Sequence, residues 1–248
     1  MTQIKPLLTF AATLAFVLGP FMTPDFGGFD PDLYPIPQID PPVQPAGYAF
    51  AIWGVIYVWL LVSAGFGLIK RANAPEWRAM RSPLIVSLVI GAAWLPVAMV
   101  SPVWAVIMIF AMLATALMAL GRVPRSDPWF ARAPIALYAG WLTAASFAGL
   151  GLLGAGYGLG LGQVGWAYLC LIGAFIVALY GTLVLRPDAP LYPLGVAWAL
   201  IAITVQNWGS NWGVASVAAL GAGILLVLTY LAYDQHKLTA QRWAEHRS

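Results

Sequence analysis

Apolar residues in this chain run in long blocks, and polar residues are confined to short breaks between them. A helix crossing the hydrocarbon of a membrane needs about 20 apolar residues, with roughly 17 to 25 observed. Eight blocks reach that range, at residues 6–22, 47–69, 83–100, 102–120, 133–153, 165–185, 191–207 and 213–233. The third and fourth are split only by Ser101 and Pro102, which reads as a tight helical hairpin. The pattern predicts an all-α, polytopic transmembrane bundle of about eight helices.

The charges test that division independently. If the N-terminus lies in the cytoplasm, Lys5 is inside. Lys70, Arg71, Arg78 and Arg81 follow the second block, Arg122, Arg125 and Arg132 the fourth, Arg186 the sixth, and Lys237, Arg242 and Arg247 the eighth. All 12 basic residues then fall on one side, which is the positive-inside pattern. Both termini are expected in the cytoplasm, and a bacterial inner membrane is the expected location. The first block begins with a charge like a signal peptide. It has no convincing small-residue cleavage site before Pro20, so it is read as a retained helix.

Composition agrees with a lipid solvent. The 248 residues are 61% hydrophobic and 8% charged, against about 25% charged in soluble domains. The net charge of +3 comes from scattered residues, with no basic block for nucleic acid. A single cysteine, Cys170, excludes an intramolecular disulfide and a cysteine-based metal site. None of the nine acidic residues falls in a block. Ion-coupled carriers usually hold an ionisable group within the membrane, so a carboxylate-relay pump is disfavoured.

Two breaks have their own character. Residues 23–46 contain Pro24, Pro31, Pro35, Pro37, Pro41, Pro42 and Pro45, which rules out a helix and predicts an extended outer loop. Eight glycines between 149 and 165 predict a flexible outer linker. Gly154-Ala155-Gly156 lacks the βαβ context of a dinucleotide loop.

Catalytic groups are scarce. The only histidines, His236 and His246, lie in the C-terminal tail, so none is available inside the membrane to ligate a haem iron. No nucleophile–base pair or paired carboxylate is visible. Binding or transport is expected rather than catalysis, with no required cofactor. The 12 tryptophans are the distinguishing feature. An interfacial aromatic belt accounts for Trp104, Trp129, Trp166, Trp208 and Trp212, which lie near block ends. Trp94, Trp141 and Trp198 sit deeper, where a buried indole seeks a hydrogen-bond partner or a flat ligand to stack on.

Three segments resemble signatures of the TspO/MBR family, the tryptophan-rich sensory proteins. Residues 45–57, Pro-Ala-Gly-Tyr-Ala-Phe-Ala-Ile-Trp-Gly-Val-Ile-Tyr, are similar to its entry into helix 2. Residues 91–96, Gly-Ala-Ala-Trp-Leu-Pro, resemble its helix 3 motif. Residues 137–145, Leu-Tyr-Ala-Gly-Trp-Leu-Thr-Ala-Ala, resemble its helix 5 motif. The resemblance covers residues 1 to about 153. It implies a five-helix bundle (1–153) around a pocket for a tetrapyrrole, porphyrin or sterol-like ligand. Three additional helices (154–233) and a basic tail (234–248) follow. By motif position the ligand-binding residues are Phe50, Trp53, Tyr57, Trp94, Tyr138, Trp141 and Ala145. Trp53 and Tyr57, four apart, share one helix face. Ala46, Tyr48, Gly91, Leu137 and Gly149 depart from the family pattern, and the change to Gly91 removes a polar handle from the pocket.

The polar aromatic run 205–212 reads as a pocket cap, a partner site or an ordinary interfacial turn. The alternative to a sensory or transport role is an accessory subunit of a larger membrane complex, or a homodimer. It rests on Ser63, Gly67, Gly158, Gly162 and Gly221, small residues that permit close helix approach.

Overall fold

The computed structural model describes residues 4–23 and 28–245, with side chains as far as Asp234 except at Ala232. His246 and Arg247, and the side chains of His236, Lys237 and Arg242, lie outside it. Every regular element among the described residues is helical.

The eight helices are α1 (Ile4–Leu18), α2 (Ile52–Ile69), α3 (Arg78–Ala98), α4 (Pro102–Gly121), α5 (Ala133–Gly156), α6 (Gln163–Tyr180), α7 (Leu191–Asn207) and α8 (Trp212–Glu245). Among the described residues, seven helical stretches are long and apolar enough to cross a membrane. The eighth, α7, has 17 residues, the short end of the spanning range. The chain is an integral membrane protein.

Local chemistry sets the boundaries. At the α3–α4 hairpin the Ser101 hydroxyl accepts from the Trp104 N–H at 3.4 Å, and Pro102 takes the first helical position, where its missing N–H costs nothing. α3 begins at Arg78, five residues before the expected 83, because a helical turn at Pro75–Trp77 leads straight into it. Arg78 and Arg81 are therefore helical rather than loop residues. Arg132 likewise lies in the turn Pro128–Arg132 that opens α5. α8 continues through most of the expected tail. Its 34 residues extend about 51 Å at 1.5 Å per residue, so it stands well clear of a hydrocarbon core about 30 Å thick.

α5 is the axis of the molecule. It packs against α2, α4, α6 and α7 and is buried on every side, as its apolar, Ala- and Gly-rich sequence allows. It crosses α7 at nearly backbone distance. A Cβ on Gly140 would lie 2.2 Å from the Tyr192 carbonyl oxygen, and one on Gly195 would lie 2.9 Å from that of Leu137. The expected flexible linker at 149–165 is corrected here. Residues 149–156 continue α5, and only 157–162 form a loop. These glycines make room for packing: the Trp166 and Tyr34 rings lie where Cβ atoms of Gly154 and Gly156 would be. Trp166 is correspondingly half-buried against α5. Trp104, Trp129, Trp208 and Trp212 are exposed.

At the basic end a polar network fastens α2, α3 and the approach to α5. Arg71 donates to Asp127 twice, at 2.7 and 2.9 Å, and the Trp77 indole donates to Asp127 at 3.2 Å. Arg81, buried, donates to the carbonyls of Gly67, Arg71 and Ala72, satisfying groups the end of α2 leaves open. Arg132 and Arg186 both pair with Asp188. Of the small residues noted for contacts between chains, Ser63 and Gly67 are buried, and Gly221 packs against Leu200.

Candidate functional site

The segment after residue 28 folds over the end of the bundle opposite this basic network. Its hydrogen bonds fix it there. Ile36 N–H donates to the Gly156 carbonyl at 2.9 Å, and Ala46 N–H to that of Ala202 at 3.2 Å. The Asn207 amide, buried, donates to the carbonyls of Pro42 and Ile203 at 2.8 Å each. Gln163 reaches Gln38 at 3.2 Å. The proline-rich segment is thus a lid tied to α5, α6 and α7. Asn207, in the polar aromatic run, is one of its anchors.

A chamber lies beneath this lid. Its roof is Phe29, Gln44 and Pro45. One face of α5 supplies Trp141, Ala145, Ala148 and Leu152, at the three- and four-residue spacing of a helix stripe. Phe50 precedes α2, Trp94 comes from α3, Ile109 from α4, and Ala199 and Ile203 from α7. The wall is almost wholly apolar. Its volume is about 60 Å³, measured at the centres of a water-sized sphere. Sites for drug-sized molecules run to about 300–1,000 Å³. The chamber is closed down on itself.

Aromatic rings continue behind the wall. Phe50 meets Trp141 edge to face at 5.9 Å, and Trp141 meets Trp53 in the same way at 6.1 Å. Trp53 and Tyr57 stack at 5.4 Å, one turn apart on α2. Phe16 of α1 stands edge-on to Trp53, Tyr57 and Tyr138 at 5.9, 5.2 and 5.7 Å. Its ring fits because residue 91 is glycine: a Cβ there would lie 2.6 Å from it. The position that lacks the family's polar side chain is therefore filled by a ring from α1.

The polar atoms of these aromatics are mostly engaged. The Trp94 indole donates to the Ala105 carbonyl at 2.9 Å, and Trp198 to the Ala49 carbonyl at 2.9 Å. The Tyr138 hydroxyl is 2.9 Å from the Ser87 hydroxyl, which also contacts the Met112 carbonyl at 2.9 Å. Trp141 differs. It is 1% exposed, it lines the chamber, and its indole N–H has no acceptor among the described residues. Leaving a buried donor unmatched costs about 1–3 kcal/mol.

Of the seven residues expected from the motifs, Phe50, Trp94, Trp141 and Ala145 line the chamber. Trp53, Tyr57 and Tyr138 form the aromatic layer beside it and do not line it. Sequence reasoning missed Phe29, Gln44, Ile109, Ala199 and Ile203 of the wall, and Phe16 behind it. For the α7 wall the available signal was Trp198, a tryptophan set inside its span. Among the described residues no group of three or more His, Cys, Asp or Glu side chains is placed to hold a metal ion.

An eight-helix membrane bundle closed around an aromatic chamber, with a proline-rich lid across one end, is the class these features define. The chain matches the TSPO-like protein family over residues 36–231, most of its length, and belongs to that family. The match leaves α1 out and takes in α6, α7 and α8 as far as Leu231, beyond the 1–153 span the three motifs covered. No curated protein and no solved structure compared with the chain gives a match.

Proposed function

We propose that this protein binds a hydrophobic, planar molecule, a tetrapyrrole such as a porphyrin or a sterol-like compound, in a sensory or transport role. It acts in the bacterial inner membrane with both termini in the cytoplasm. The observation that carries this reading is the chamber: four aromatic residues, Phe29, Phe50, Trp94 and Trp141, around an apolar space under a tied lid. Apolar burial and stacking supply affinity in such a site, and a few polar groups orient the ligand. No catalytic group accompanies them, so the reading is binding without turnover and with no required cofactor.

The small resting volume adds a condition. A macrocycle enters only if the lid segment lifts from α7 or the Phe50 and Phe29 rings swing aside. Binding is then coupled to opening.

Titration of the detergent-purified chain with protoporphyrin tests the reading, following tryptophan fluorescence and the porphyrin absorption band. The expected result is saturable binding, weakened about tenfold or more in Trp141→Ala, which removes a large stacking surface, and weakened less in Trp53→Ala, one layer back. Unchanged affinity in both variants would sink the site. No saturable binding would move the accessory-subunit reading to first place.

A further inference from the structure

A larger cavity lies at the other end of the bundle, away from the chamber. Its volume is about 440 Å³, measured the same way. Its walls are the start of α5, the entry to α7 and the last spanning turns of α8. The space exists because the α5 and α7 walls carry small side chains, Ala133, Ala136 and Ala189, while α8 packs chiefly on α7.

The spans that meet there fix its depth. The spanning stretch of α5 begins at Pro128 and that of α8 ends at Leu231, and α7 begins at Leu191. The cavity therefore sits where acyl chains give way to headgroups. Its rim carries the aromatic residues of that layer. Trp129 and Tyr230 line it and are 66% and 68% exposed, and Trp129 is held by stacking on Trp59 at 6.2 Å.

Charge is an independent observation. Arg132 is the one charged residue among the described residues that line the cavity, and its side chain is 5% exposed. Arg132 and Arg186 share the Asp188 carboxylate, Arg186 at 2.9 Å. Two guanidiniums and one carboxylate sum to a single positive charge. Burial holds the Arg186 guanidinium below its usual range, and repulsion from Arg132 and Arg125 presses the same way against the pull of Asp188. Asp234, next to Tyr233 on α8, does not line the cavity. A phosphodiester carries the one negative charge that balances the trio, and a guanidinium pairs with two of its oxygens at once. A zwitterionic headgroup brings its own ammonium and balances nothing.

We propose that this cavity binds an anionic phospholipid of the inner leaflet, an acyl chain lying along the alanine wall and the phosphodiester held at Arg132. Basic pockets between spanning helices on the cytoplasmic side take such headgroups, and the positive-inside rule directs this end to that side. The lipid fills the gap between α5 and α8 and joins them. The site is separate from the chamber under the lid and does not depend on what the chamber binds.

Phosphatidylglycerol and phosphatidylcholine with the same oleoyl chains are the probes. They are titrated into the full chain in neutral detergent, and bound lipids are counted by native mass spectrometry. The first phosphatidylglycerol is expected to bind about fivefold more tightly than the first phosphatidylcholine, the worth of one basic residue near an anionic lipid. Arg132→Gln should bring that ratio close to one. Arg78→Gln removes the same charge from an exposed position at the same end, away from the cavity, and should leave the ratio as it is. Arg132→Gln also breaks a buried ion pair, so Thr229→Phe carries the test if that variant fails to fold. It puts a ring into the cavity and gives up only a hydroxyl bonded to the Leu225 carbonyl of its own helix at 2.8 Å. It should weaken phosphatidylglycerol about fivefold or more.

Equal affinity for the two lipids in the native chain overturns the proposal. So does a ratio that survives Arg132→Gln, or one that falls as far in Arg78→Gln, which would make the preference a property of the whole basic end. Native affinity for phosphatidylglycerol in Thr229→Phe would move the lipid out of this cavity. Glycerophosphoglycerol, the headgroup without chains, should not displace the lipid at equal concentration. Displacement would mean a site for soluble phosphodiesters and would overturn the lipid assignment.

Discussion

Gly140 shows how much a single missing methyl decides. With no side chain, α5 and α7 approach until a Cβ on residue 140 would meet the Tyr192 carbonyl at 2.2 Å. A backbone oxygen cannot swing away, so Gly140→Ala must push the helices apart. The expected loss is on the order of 3 kcal/mol, the upper range for overpacking a core, read as a lowered thermal midpoint in detergent. Gly54→Ala is the matching control, because nothing lies within 4 Å of its Cβ position, and it should be neutral or slightly stabilising. At the same scale, the motif residues were legible because aromatics in fixed register announce themselves. Phe16 was not. It is one phenylalanine in an apolar block, and what makes it structural is the space left by Gly91, a long-range relation that no local pattern carries.

At the scale of elements, the basic end holds together through the loops that join α2 to α3 and α4 to α5. The Arg71 hydrogen bonds hold the Asp127 carboxyl below its usual range, and the Trp77 N–H adds to this against the opposing effect of burial. A carboxyl whose folded pKa is depressed gives stability that is present above its unfolded pKa, about 3.9, and is lost as pH falls through the lower folded value. Thermal midpoints of the native chain and Asp127→Asn should therefore differ by a few degrees at neutral pH and converge below about pH 4. Asn suits the site, since residue 127 has a φ of 53°. A difference that persists at low pH would mean the carboxylate is not what fastens the loops. Most helix boundaries were legible, because apolar block length is set by membrane thickness. The glycine segment misled for a physical reason: in water eight glycines in 17 residues argue for a loop, whereas in lipid glycines let large rings pack against a helix. Trp166 and Tyr34 do so against α5.

For the molecule as a whole, the ion-paired arginines Arg71, Arg132 and Arg186 gather at one end of the bundle, and the positive-inside rule predicts that this end faces the cytoplasm. The prediction needs only the sequence, since the positive-inside pattern depends on the order of blocks and charges. It can be checked with single cysteines in a Cys170→Ala background. Ser126 and Ser210 are both exposed, in loops at opposite ends. A cysteine at 126 should react with a membrane-impermeant maleimide only after the cells are opened, and one at 210 should react in intact cells. The reverse pattern would invert the orientation. What the sequence could not supply was the sharing of the chamber between α1–α5 motifs and α7. That depends on how a helix beyond residue 153 folds back, and only tertiary packing decides it.

The lid that closes the chamber is held by hydrogen bonds to α5, α6 and α7, and the space beneath it is too small at rest for the molecules that would fit its chemistry. If a ligand binds there as proposed, occupancy and loop release are a single equilibrium. The apparent affinity is the intrinsic one scaled by the fraction of time the lid stands open, so a partner that grips the raised loop would tighten ligand binding by the same factor that ligand tightens the partner. On the proposed binding role, a chamber shut when empty would report its filling at the lid surface, where another molecule could read it.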